Sequence, residues 1–503
     1  MATSGWSPAR VHDIYRKAFP QGRLVLVSNR QPYAHMLTEN DEITVRRPAG
    51  GLSLALDPVL QAVGGTWIAW GHGSADSEVV DDHDRVGVPP EDPAYTLRRL
   101  WLSDEDIDNY YLGYSNQALW PLCHNILEHV RFRFRYWRSY RDVNTRFAHA
   151  VVEEAGDEGG LVWFQDYHLA LAPAVLRNVR SDLTLAHFWH IPWPAWETLR
   201  VCPQKIDILE GLLANDLLGF HLDSFVTNFI TCCIRELDAF VDWTKRAVVY
   251  KGHMTAVKAF PISIDVGRFE EMAASEETEQ RIATIVERYG LAEQKIGIGV
   301  DRLDYSKGIL QRLEALRLLF RDHPELAGRF TFVQVAVPSR GEIPAYQHLQ
   351  ERVDQRIEEL NGALSTDSWK PIVYIRHPLP QDELVAFYRM ADVAIISSVQ
   401  DGMNLVVKEF IASQGDDPGA VCLSEFAGAA DEIGRSVSIN PFDTEGFAES
   451  LRLALAMPLE ERRHRMEAMK QKLRRQTIYT WMADFLEAAG TVRAEAASLD
   501  LES

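Results

Sequence analysis

The chain has 503 residues, 46% hydrophobic and 25% charged, enough for large buried cores and too many for a single one. Its 72 acidic and 52 basic side chains leave a formal charge of −20, which argues against nucleic acid or an anionic membrane as a partner. Cys123, Cys202, Cys232, Cys233 and Cys422 show no metal-ligand spacing, the first residues carry no signal-peptide core, and no apolar run reaches membrane-spanning length. A cytoplasmic protein is expected.

Short apolar runs rich in β-branched residues alternate with longer helical patterns. Strands are expected in "RLVLVS" (23–28), "GTWIAW" (65–70), "GLVWFQ" (160–165) and "LTLAHFWH" (183–190). "DSFVTNFITCCIRELDAF" follows as a helix that buries Cys232 and Cys233, and "AVVYKGHMTAVKAFPI" as a hairpin around Gly252. The second half continues with "KIGIGV" (295–300), "RFTFVQVAV" (329–337), "PIVYIR" (371–376), "DVAIISS" (392–398) and "AVCLSE" (420–425). Strands that are apolar throughout and separated by helices predict parallel sheets covered on both faces. The fold class is therefore α/β, with two Rossmann-like doubly wound domains facing across a cleft, expected at 1–262 and 263–476. The amphipathic pattern at 477–503 is expected to pack back on the first domain.

Polar groups collect where strands end, the usual ligand position in such sheets. Asn29 and Arg30 follow the first strand, Asp166 and His168 the "GLVWFQ" strand, and His190 the "LTLAHFWH" strand. Arg302 and Lys307 follow "KIGIGV", Arg340 follows "RFTFVQVAV", and Asp401 and Glu409 follow "DVAIISS". In "DGMNLVVKEF" (401–410) a helix is expected to begin near Met403, with Asn404 in its first turn. The amides there form an anion site, and Glu409 is placed to reach a sugar hydroxyl. Gly50 and Gly51 in "RRPAGGLSLALDPVL" offer a weaker anion site, with Pro58 limiting or kinking the helix that follows. Tyr111 and Trp120 in "YLGYSNQALWPLCH" can present a phenol and an apolar ring to a sugar. No zinc spacing is found, no Asp-X-Asp motif marks a metal–diphosphate site, and Walker, GXGXXG and GXSXG signatures are absent.

Together "VSNR", "AGGL", "GGTWIAW", "YSNQALWPLCH", "QDYHLAL", "HIPWP", "DLLGFH", "DRLDYSKGI", "PSRGE", "DGMNLVVKEF" and "LSEFAGAADE" closely resemble trehalose-6-phosphate synthases of glycosyltransferase family 20. The likeness runs from about residue 23 to about residue 480. It implies a GT-B fold, no metal or other cofactor, and transfer of glucose from UDP-glucose to glucose 6-phosphate with retention. By that resemblance Arg302, Lys307 and the amides around Met403, Asn404, Leu405 and Val406 would hold the donor diphosphate. Glu409 would bind the ribose, Asp401 and His190 the donor glucose, and the Gly50–Gly51 loop would close over the diphosphate. Arg30, Tyr111 and Arg340 would clamp the acceptor phosphate, while Trp70, Trp120 and Asp166 would line the acceptor sugar. Arg302, Lys307, Asp166 and His190 would carry the catalytic step, with no side-chain nucleophile. A homo-oligomer would be in keeping with the family.

Three segments depart from the pattern: Gln400 in place of an arginine, a longer loop at 31–47, and "HPLP" at 377–380. The last leaves ADP-glucose and GDP-glucose open as donors. A sister enzyme that makes glucosylglycerol phosphate from ADP-glucose and glycerol 3-phosphate shares the "RQPY" pattern. A catalytically silent sugar-phosphate sensor would have lost cations that are retained here.

Overall fold

The computed structural model describes residues 8–47, 51–157 and 159–502. The chain divides into two compact units, Met1–Ile262 with Tyr479–Ser503, and Ser263–Ile478.

The first unit is built on a ten-stranded sheet. Its parallel strands run in the spatial order Tyr95–Leu100, Thr66–Trp70, Arg23–Arg30, Gly160–Gln165, Thr184–Phe188, Leu217–Phe220, His253–Ala259. The sequence thus starts in the middle, builds outward on one side, then returns to build outward on the other. Gly160–Gln165 and Thr184–Phe188 are buried at every position, which is why they read as continuous apolar runs rather than alternating ones. The hairpin around Gly252 forms as expected, Ala247–Tyr250 pairing antiparallel with His253–Ala259. Cys232 and Cys233 are buried in the Asp223–Leu237 helix.

The Ile478–Glu502 helix packs on this sheet through aromatic contacts. Phe485 stacks on Trp163 with centroids 4.4 Å apart, and Trp481 meets Phe188 edge-on at 5.1 Å. Gly219 permits this approach, since a Cβ there would sit 2.8 Å from both the Phe188 and Phe485 rings.

The second unit holds a six-stranded, wholly parallel sheet. Its order is Ile372–Ile375, Phe330–Val337, Lys295–Arg302, Val393–Ile396, Ala420–Ser424, Val437–Ile439. Numbered along the chain this is 3-2-1-4-5-6, the doubly wound nucleotide-binding order, with the reversal between Lys295–Arg302 and Val393–Ile396.

Several elements differ from expectation. The long 31–47 loop folds into a small antiparallel ribbon, Ala34–Leu37 against Ile43–Arg46. The helix containing Pro58 is 13 residues long, Gly51–Val63, and continues through the proline. The aromatic stretch Ile107–Leu119 is a π-helix, in which the Trp120 amide donates to the Ser115 carbonyl five residues earlier.

Truncating Phe485 to alanine removes the ring that stacks on Trp163 and should cost about 3–5 kcal/mol of first-unit stability in urea unfolding. A loss below about 1 kcal/mol would show that the helix contributes little to this core.

Candidate active site

The switch point of the second unit brings together what the sequence places a hundred residues apart. Lys295–Arg302 ends in Arg302, and a short turn, Tyr305–Lys307, carries Lys307. Gly308 closes the turn at φ 62°, and a Cβ there would lie 2.0 Å from the Ser397 carbonyl of the neighbouring strand end. Ser397 Oγ donates to the carbonyls of Lys307 and Gly308 at 3.0 Å, and the Val399 amide donates to Ser306 at 2.8 Å. The two strand-end loops are thus tied directly together.

Across that tie Lys307 Nζ reaches Asp401 Oδ2 at 2.6 Å, both side chains largely buried. Ser398 Oγ and Asn404 Nδ2 donate to the same carboxylate oxygen at 3.1 and 3.2 Å. Asp401 therefore takes one of the ammonium's three donors and fixes its direction. Arg302 lies more open to solvent, 3.8 Å from Asp304 and 3.4 Å from Ser339 Oγ.

The helix after Asp401 runs Leu405–Ser413, starting two residues later than expected. Asn404 is its N-cap rather than a first-turn residue, accepting from the Val407 amide at 3.2 Å with φ 85°. The cap uses the third amide of the helix and leaves those of Leu405 and Val406 ahead of any intrahelical acceptor, the geometry of an anion site. Met403 is buried; the Ala429 amide donates to its carbonyl at 2.8 Å, stapling the loop to the 426–429 segment.

Glu409, on the same helix, keeps some solvent contact, yet dense packing around its carboxyl pushes its pKa up to about 7. The Tyr388 hydroxyl donates to it at 3.1 Å and opposes part of that rise. Arg340, at φ 52°, lies beside the buried carboxylate of Asp304 at 3.3 Å and donates to the Tyr346 hydroxyl, which in turn donates to Asp304 at 3.0 Å. Beneath these groups Arg312 is fully buried and binds Asp301, Gln334 and Ser397 at 2.7, 2.9 and 3.0 Å.

The first unit has an equivalent reversal between Arg23–Arg30 and Gly160–Gln165, and its candidate residues gather there. Arg30 donates to the Tyr111 hydroxyl at 2.5 Å, with its guanidinium 5.6 Å from the ring centroid. Trp70, the register partner of Arg30, has its ring 5.7 Å from that of Tyr111, and His168 stacks on Tyr111 at 6.0 Å. Trp120 packs on His124 and Tyr167, so its ring is part of the wall that supports this cluster. Asp166 adopts φ 67° and its Oδ1 accepts from the His190 amide at 3.1 Å. His190 shares a 2.9 Å hydrogen bond with Gln165 and is held well below the ordinary imidazole pKa, chiefly by burial and then by His221 and His187. It is a neutral ring.

Among the described residues, ten non-glycine positions have positive φ, and Asp166, Arg340 and Asn404 are three of them. Backbone strain of this kind concentrates at functional sites. Gly50 lies outside the described residues, and Gly51 opens the Gly51–Val63 helix. Of the supporting partners, Asp304 and Gln165 lie in the "DRLDYSKGI" and "QDYHLAL" segments, while Tyr346 and Tyr388 carry no motif that singles them out in the sequence. The sequence does contain Asp-X-Asp triplets, at 82–84, 104–106 and 106–108, and among the described residues none of them belongs to a group that could hold a metal. Asp84 pairs with Arg98 at 2.6 Å, and Asp106 caps the helix start at Ser103 while pairing with Arg146 at 2.7 Å. Among the described residues no group of three or more His, Cys, Asp or Glu side chains could hold a metal.

Two Rossmann-ordered units, with cations and open amides at one switch point and an arginine–aromatic cluster at the other, define a glycosyltransferase of the GT-B class. Residues 22–490 match the model of Glycosyltransferase family 20, and the chain belongs to that family. It is 39% identical over 483 residues to a trehalose-6-phosphate synthase of Mycobacterium sp. (strain KMS), covering 94% of this chain and 96% of that one. It is 38% identical over 476 residues to a bifunctional trehalose-6-phosphate synthase/phosphatase of Thermoproteus tenax, spanning 63% of that longer protein and 92% of itself. Its structure matches an α,α-trehalose-phosphate synthase (UDP-forming) of Burkholderia xenovorans in complex with glucose 6-phosphate. The TM-score is 0.84 at 30% identity, over 93% of this chain and all of that one.

Because the folded pKa of Glu409 lies above its ordinary 4.5, the folded chain holds an extra proton between that pH and about 7, and stability falls as pH rises through this window. Glu409→Gln should therefore gain about 2–4 °C in thermal midpoint relative to the parent on going from pH 5 to pH 8. A difference that does not change with pH would show that the carboxyl is not desolvated.

Proposed function

We propose that this chain moves glucose from UDP-glucose to glucose 6-phosphate with retention, giving α,α-trehalose 6-phosphate and UDP, in the cytoplasm and without a metal. The observation that carries the reading is the meeting of Arg302, Lys307 and the Leu405 and Val406 amides at one switch point. Cleavage of the anomeric C–O bond leaves positive charge on the sugar and negative charge on the departing diphosphate. Fixed cations and backbone donors aimed at that diphosphate lower the barrier because they need no reorganisation as charge develops.

In this reading Asp401 has two tasks: it holds Lys307 in place and accepts from a hydroxyl of the donor glucose. Glu409 binds the ribose, which it does best when ionised. Arg30 with Tyr111 holds the acceptor phosphate, and Arg340, fixed by Asp304 and Tyr346, adds to that clamp. Trp70 and Asp166 meet the acceptor sugar, and Trp120 lines that side of the site from behind. His190, being neutral, serves the donor sugar as a hydrogen-bonding group rather than as a charge. With no carboxylate nucleophile assigned, the acceptor hydroxyl attacks on the face that the diphosphate leaves, and a phosphate oxygen takes its proton.

Arg302→Ala and Lys307→Ala should each lower kcat by about 10²–10³ in a UDP-release assay, Arg302→Ala with a thermal midpoint near the parent's and Lys307→Ala with a lower one because it leaves the largely buried Asp401 without its cation. Unchanged turnover in either variant, or faster turnover of glycerol 3-phosphate than of glucose 6-phosphate by the parent, would contradict the proposal.

A further inference from the structure

A cavity in the first unit lies apart from every group used above. About 770 Å³ opens between the Ala247–Tyr250 and His253–Ala259 strands and the later part of the Ile478–Glu502 helix. The space exists because facing positions are small: Ala247 and Ala256 on the sheet and Ala496 on the helix. Nearer the start of the helix the two surfaces close, where Phe260 meets Phe485 at 5.1 Å.

The charges around this space are unevenly committed. Asp216 is engaged, its Oδ2 accepting from Arg177 and from the Leu185 amide, each at 2.7 Å. Its other oxygen lies 3.7 Å from His253, whose ring also meets the Asn215 carbonyl at 3.0 Å. Glu495 pairs with Lys245 at 3.3 Å, and Arg246 with Asp223 at 2.5 Å; all four side chains are solvent-exposed. Such pairs hold weakly and exchange readily.

Lys258 is different. It sits on an inner strand, in register with Gly219, and is half-buried between Ala256 and Phe260 on the face turned to the helix. Among the described residues no carboxylate or carbonyl pairs with it. An inner-sheet ammonium that lines a cavity and stays unpaired although Asp216 and Glu495 line it too leaves a charge for an anion to meet. Lys245 and Arg246 can turn inward from their weak surface pairs to add charge. The volume far exceeds that of a free phosphate ion, and Thr244 and Thr491 line the same space, the Thr491 hydroxyl donating to the Glu487 carbonyl at 2.9 Å so that its oxygen is left to accept.

We propose that this cavity binds a small organic phosphate, a phosphate monoester of a polyol or sugar, with the phosphate on Lys258 and Lys245 or Arg246 and the hydroxyls on the two threonines. The assignment is independent of the transfer reaction.

Hydrogen–deuterium exchange of the full chain with glycerol 2-phosphate as probe tests it, alongside inorganic phosphate. In the parent, and equally in Arg30→Ala where the proposed acceptor clamp is weakened, peptides covering 244–260 and 489–496 should exchange about tenfold more slowly at a probe concentration ten times its Kd. Lys258→Met should abolish that protection; Thr491→Trp, which fills the space from the exposed helix side, should do the same should Lys258→Met not fold. Absence of protection in the parent, persistence of protection in the folded variants, or equal protection by inorganic phosphate would each overturn the proposal.

Discussion

Everything at the candidate site depends on one topological constraint, the reversal of strand order in each sheet. Adjacent parallel strands whose connections leave toward opposite sides cannot fill the space beyond their carboxyl ends, and a crevice remains. In the second unit the reversal separates Lys295–Arg302 from Val393–Ile396, and the ion pair of Lys307 with Asp401 spans it. In the first unit it separates Arg23–Arg30 from Gly160–Gln165, and Arg30 and Asp166 follow from those two strands. Residues far apart in sequence become neighbours because the sheet, not the loop, sets their positions.

The groups at these crevices are held by buried polar scaffolds. Arg312 ties the strand carrying Asp301 to Gln334 and Ser397, so three adjacent strands share one guanidinium. Asp304, fully buried, orients Arg340 through both a direct contact and Tyr346. Buried charged networks contribute little net stability compared with apolar packing, but removing one member leaves the others unpaired at a cost of about 3–5 kcal/mol. Their value at this site is positional. The positive φ angles of Asp166, Arg340 and Asn404 belong to the same economy: local strain is tolerated where the surrounding bonds over-determine the turn.

Much of this was legible in the sequence. Strands buried on both faces, such as Gly160–Gln165 and Lys295–Arg302, announce themselves as apolar runs, and the polar residues at their ends could be found by reading where each run stops. What remained hidden has physical causes. In the 34–46 ribbon the Ile43–Arg46 strand is exposed at every position, so burial imposes no pattern on its sequence. The 107–119 π-helix has a repeat that neither the 3.6- nor the 2-residue period captures. Asn404 was legible as a helix-start residue, yet its position as cap rather than first-turn member depends on a φ that composition does not encode. Tyr346 and Tyr388 serve neighbours brought close only by folding, and single-sequence spacing carries no trace of that.

The central claim is that Lys307, Arg302 and the first amides of the Leu405–Ser413 helix receive the departing diphosphate. A crystal structure of this chain with UDP tests it most directly. The account predicts phosphate oxygens within about 3 Å of Lys307 Nζ and of the Leu405 and Val406 amides, with Arg302 turned to the same group. A diphosphate bound elsewhere, with Lys307 remaining on Asp401 alone, would contradict it.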